Sequence, residues 1–72
     1  MISLTIKTET IRLSQFLKLA NVVQDGVEAK LRIQDGLVMV NATVEKRRGR
    51  KLKHGDRVAY AGVVYEVCGP DQ

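Results

Sequence analysis

Ile2, Leu4 and Ile6 alternate with Ser3, Thr5 and Lys7, a period-two pattern rich in β-branched residues that predicts a strand with one buried face. The period then changes. Leu13, Phe16, Leu17 and Ala20 fall at i, i+3, i+4 and i+7, the stripe of a short amphipathic helix that turns Lys18 to solvent. In the following link, Asn21 to Gln24, Val22 and Val23 are expected to plug the core between this helix and a second one. Asp25-Gly26-Val27-Glu28 is a helix start: Asp25 can accept from a free amide while Glu28, three residues on, reaches back. That helix is expected to run to about Asp35, with Ala29 and Ile33 inward, Lys30 and Gln34 outward, and Gly36 as the left-handed stop.

Strand patterns fill the rest. Leu37 to Val40 predicts a strand, Asn41-Ala42 a tight turn in which Gly would be the usual second residue, and Thr43-Val44 the return. His54-Gly55-Asp56 reads as a turn, Val58 and Tyr60 alternate, Ala61-Gly62 reverses the chain, and Val63, Tyr65 and Val67 alternate back. The tail after Gly69-Pro70 is expected to fray. This order predicts an α+β fold, two short helices packed on a small antiparallel sheet of about four to five strands, with residues 1–72 as one domain.

Composition narrows the function classes. With 44% hydrophobic residues the chain is expected to fold rather than stay disordered. Its 72 residues leave no room for a substrate cleft walled by two lobes, and they hold no phosphate-cradling loop, dinucleotide fingerprint or catalytic triad, so an enzyme is not expected. His54 has no matching Cys or His array, so neither a metal nor a cofactor is expected. The lone Cys68 excludes an internal disulfide and suits a reducing compartment. MISLTIKTE is not a signal peptide, and no run approaches the roughly 18 apolar residues of a membrane helix. A cytoplasmic monomer with no membrane partner is the expectation.

Charge changes the picture more than composition does. The net charge of +4 favours polyanionic partners only weakly, but EKRRGRKLKHGDR, from Glu45 to Arg57, carries seven of the twelve Lys and Arg residues. Lying between two apolar runs, these charges are expected on one loop and its flanking strand ends, where their field draws phosphate backbones. Arg47, Arg48 and Arg50 can grip phosphate oxygens with two bonds each, Gly49 lets the loop turn or approach a backbone closely, and Lys51 adds a point charge. Lys46 and Lys53, at strand ends, weigh less. On composition alone the same loop could simply be a solvated one that confers solubility. With no Trp, one Phe and two Tyr, the chain lacks an aromatic platform for single strands, which favours folded RNA recognised by shape and backbone.

Taken in order, Arg12-Leu13, Phe16-Leu17, Ala29-Lys30, Ile33, Gly36, Val38-Met39-Val40-Asn41 and Gly55-Asp56-Arg57-Val58 resemble the alpha-L RNA-binding domain, the S-four type named after a small-subunit ribosomal protein, with its core at about 12–60. TIRLSQFLKLA and RRGRKL are similar to the small stand-alone bacterial members of the YaaA/YbcJ type. The resemblance implies a non-catalytic protein that binds structured RNA, commonly ribosomal or transfer RNA, through the helix pair and adjacent loop, in ribosome assembly or translation. It adds Arg12 and Lys30, which match basic positions of the family surface, to Arg47, Arg48, Arg50 and Lys51 as the RNA-binding set. Many family members carry Ser-Arg where this chain has Asp25-Gly26, so one RNA-facing cation is missing and the others carry more of the binding. Asn41 is better explained by turn structure. The alternative is a protein-interaction adaptor whose basic loop docks on an acidic partner. Charge does not choose between them; the family pattern favours RNA, with DNA ranked below it.

Overall fold

In the computed structural model, residues 1–70 are described, in the order β1 (Ile2–Thr5), β2 (Thr10–Arg12), α1 (Leu13–Leu19), α2 (Gly26–Gln34), β3 (Val38–Val40), β4 (Thr43–Val44), β5 (Lys51–Lys53), β6 (Arg57–Tyr60) and β7 (Val63–Cys68). The expected fraying of the tail falls on residues 71–72, outside this range. Five strands make one sheet in the order β1-β7-β6-β3-β4, and β2 pairs with β5 separately. The expected α+β fold is thus present, with a refinement: the sheet is mixed. β1 lies parallel to β7, from Ile2 opposite Tyr65 to Thr5 opposite Cys68, while the other pairs are antiparallel. Both helices and five strands separate the two strands, ample chain for a crossover, and a period-two pattern is the same in either sense.

The helices cover one face of the sheet. Leu13, Phe16 and Leu17 of α1 and Ala29 and Ile33 of α2 form a core with Val38, Val40, Val58, Tyr65 and Val67, closed by Ile6, Val23 and Leu52. Each fully buried aliphatic side chain contributes about 1.5–3 kcal/mol. Val23 is the expected plug, with Val22 partly buried beside it. On the opposite face Val44, Met39, Ala59 and Val64 stand in register across four strands, and the Val and Met side chains are exposed.

Local signals act as the residues dictate. Asp25 Oδ1 accepts from Glu28 N at 2.8 Å, and Glu28 Oε1 accepts from Gln24 N at 2.6 Å, one residue further back than a standard capping box. Gly36 ends α2 with φ of 77°. Asn41 and Ala42 both take positive φ, 51° and 69°. Asn41 Oδ1 accepts from Arg57 N at 2.9 Å and Nδ2 donates to Asp56 Oδ1 at 3.1 Å, a structural role. His54 Nδ1 accepts from Gly69 N at 3.0 Å, tying its turn to the end of β7.

Candidate nucleic-acid interface

The short β2–β5 ladder sorts its side chains by chemistry. Ile11 faces Leu52, which is fully buried, while Arg12 faces Lys51 and Thr10 faces Lys53 on the solvent side. α1 follows β2 without an intervening turn, and the basic loop supplies its start. Leu13 N donates to Arg50 O at 2.8 Å and Ser14 N to Arg48 O at 3.1 Å. Loop carbonyls thereby satisfy two of the four amides a helix leaves free at its N-terminus. This explains why Arg12, which has no side-chain acceptor, can occupy the cap position usually held by Ser, Thr, Asp or Asn.

Strapping the loop to α1 brings distant cations together. A cleft of about 520 Å³ lies between the loop, the start of α1 and the first turns of α2, lined by Arg12, Ser14, Gly26, Lys30, Arg48 and Gly49 among others. Lys51 is not among its lining residues but stands across the ladder from Arg12. Arg12, Lys30, Arg48 and Lys51 form no ion pair among the described residues.

Arg47 and Arg50 are placed differently. Both reach Glu45: Arg47 Nε donates to Oε2 at 3.1 Å and Nη2 to Oε1 at 3.2 Å, while Arg50 Nη1 donates to Oε1 at 2.7 Å. Glu45 is buried, and these bonds, Arg47 first and Arg50 next, hold its carboxyl at about 2 against the opposing effect of burial. The Arg47 guanidinium is correspondingly shifted upward by the same carboxylate. No period or motif in the sequence singles out Glu45. The available signal was its position, a single carboxylate directly ahead of KRRGRKLK. Among the described residues no group of three or more His, Cys, Asp or Glu is placed to hold a metal, and no helix is long and apolar enough to cross a membrane.

Two short helices on a small sheet, with a cation-lined cleft where the helix pair meets a strapped loop, define an α+β module of the alpha-L kind. Residues 4–68 match the S4 domain, and the chain belongs to that family. It is 49% identical over 59 residues to the probable ribosome maturation protein RlbA of Bacillus subtilis (strain 168), which covers 82% of this chain and 83% of that one. It is 36% identical over 57 residues to the putative RNA-binding protein YbcJ of Escherichia coli (strain K12), covering 79% and 81%. The solution structure of YbcJ from E. coli, described as having an alpha-L motif involved in RNA-binding, matches with a TM-score of 0.71 at 32% identity, over 94% of this chain and 87% of that one. The resemblance read from the ordered residues therefore holds.

Proposed function

We propose that this protein binds structured RNA without catalysing a reaction on it, and that its target is ribosomal RNA during ribosome maturation. The observation that carries this reading is the cleft in which Arg12, Lys30 and Arg48, from three separate segments, converge without carboxylate partners among the described residues, with Lys51 beside them. Cations left unpaired at close quarters repel one another and gain when an anion enters between them. Phosphate contacts supply the affinity, and the shape of a junction or bulge that fits between α2 and the loop supplies selectivity. Support comes also from two relatives, one named for ribosome maturation and one for RNA binding. The protein works in the cytoplasm in this reading.

Titration of a bulged RNA hairpin at several salt concentrations, in competition with duplex DNA of equal length, tests it. Four phosphate contacts give a log–log salt slope of roughly −3 to −3.5, so a fourfold rise in salt weakens binding by roughly two decades. A flat salt response, or equal affinity for the DNA, overturns the reading. Crosslinking in native cells tests the target: reads concentrated on one ribosomal RNA region support it, and reads concentrated elsewhere replace it.

A further inference from the structure

Glu45 holds the basic loop around a single carboxylate. Besides the three side-chain bonds from Arg47 and Arg50, its Oε2 accepts from the Arg47 backbone amide at 3.2 Å. These contacts span two and five positions and draw the turn in on itself. Arg50 is gripped at both ends, its guanidinium by Glu45 and its carbonyl by Leu13 N. The Nε–Nη2 edge of Arg47, a fork that could take a phosphate side-on, is already occupied by the carboxylate. Arg48 lies between these two arginines, exposed and without an ion pair among the described residues, and lines the cleft.

We propose, on the footing of the RNA-binding reading, that Glu45 is a positioning residue that partitions the loop. It fixes Arg47 and Arg50 as struts that set the shape of the turn, and it leaves Arg48 as the loop arginine that contacts phosphate. Neutralising Glu45 then has two opposed effects. It releases two guanidinium groups for indiscriminate phosphate contact, and it loosens the turn that presents Arg48 to a folded target. Net RNA affinity can stay level while selectivity falls.

Two measurements test this on the full chain. Without RNA, hydrogen exchange at the arginine Nε–H groups, followed by NMR, is expected to be slower at Arg47 than at Arg48 in the wild type, and alike at the two in Glu45→Gln. With RNA, a bulged hairpin and an oligouridylate of equal length serve as probes across a salt series. Arg48→Ala is expected to flatten the salt slope for the hairpin by about 0.7–0.9, the share of one phosphate contact. Arg47→Ala and Arg50→Ala change that slope by much less than Arg48→Ala but lower the preference for hairpin over oligouridylate, and Glu45→Gln steepens the slope while reducing the same preference. Equal exchange of Arg47 and Arg48 in the wild type overturns the clamp. Loss of slope in Arg47→Ala as large as in Arg48→Ala overturns the partition. A wild type whose binding ignores salt overturns the RNA reading and the role of Arg48 together, and the exchange measurement then shows separately whether the clamp exists. The wild-type exchange and the arginine variants carry the test even if Glu45→Gln fails to fold.

Discussion

Arg12 and Lys51 stand directly opposite each other across the β2–β5 ladder, two cations on the solvent face of a pair only three residues long. Like charges placed this way destabilise a sheet, whereas opposite charges contribute roughly 0.2–1 kcal/mol. The arrangement weakens the ladder and favours an anion. Lys51→Glu is therefore expected to stabilise the fold by about 0.5–1 kcal/mol in urea denaturation. The same change should weaken binding to a bulged RNA hairpin by at least about tenfold at low salt, because in the proposed reading it removes one phosphate contact and sets a repulsive charge beside Arg12. Lys53→Glu, opposite the neutral Thr10, is the control and should leave stability nearly unchanged. Loss of stability in Lys51→Glu would mean that the two cations do not repel in the folded state.

Gly26 opens α2 at the cleft, where the family resemblance implies Arg, and a Cβ added there meets nothing within 4 Å. Gly26→Arg is expected to restore the missing cation. The hairpin salt slope should steepen by about 0.7–0.9 and affinity at low salt should rise several-fold. Replacing Gly within a helix also favours folding by up to about 1 kcal/mol, less a few tenths for a cation near the helix N-terminus. A variant that is more stable but binds RNA no better would place the contact surface away from the first turn of α2.

Ala42 takes φ of 69° immediately after Asn41 at 51°, in the turn joining β3 to β4. A Cβ in this left-handed region costs roughly 1–2 kcal/mol, and Gly avoids that cost at the expense of a larger entropy loss on folding. Ala42→Gly is expected to stabilise the protein by about 0.5–1 kcal/mol, raising Tm by roughly 2–8 °C for a domain of this size. Neither turn residue lines the cleft, so RNA affinity should not change. Thermal unfolding followed by circular dichroism measures the first effect, and hairpin titration checks the second.

Elements with a local period were legible in the sequence, and those that depend on distant partners were not. The stripe Leu13, Phe16, Leu17 and the cap at Asp25 identified both helices because burial and capping leave marks within a few residues. β2 left no such mark: Thr10–Arg12 runs straight into α1, and only the partner strand Lys51–Lys53 makes it a strand. The parallel sense of β1 is likewise a property of its partner β7, more than 60 residues away, and not of its own alternation. At the candidate site, residue type and clustering marked Arg47, Arg48, Arg50 and Lys51, and the family resemblance added Arg12 and Lys30. What sequence does not carry is the backbone strap from Arg48 and Arg50 to α1, which sets Arg48 beside Lys30, and the bonds from Arg47 and Arg50 to Glu45, whose spacings match no regular element.

The Glu45 carboxyl is held at about 2 by Arg47 and Arg50, below the range near 4.3 that it takes in an unfolded chain. A carboxylate depressed on folding binds its proton more readily in the unfolded state. Its contribution to stability is therefore complete above about pH 5 and is lost as pH falls through the folded value. Other acids titrate in the same window, so the informative quantity is the difference in unfolding free energy between the wild type and Glu45→Gln. That difference is expected to be level from pH 7 to about 5 and to shrink steadily toward pH 2, where about half of the folded-state carboxyl carries a proton and most of its advantage over the amide is gone. Urea unfolding at half-unit pH steps gives the curve directly. A difference that stays constant down to pH 2 would mean that the carboxylate gains nothing from its arginines on folding. One that grows on acidification would mean that the charge at Glu45 works against the fold.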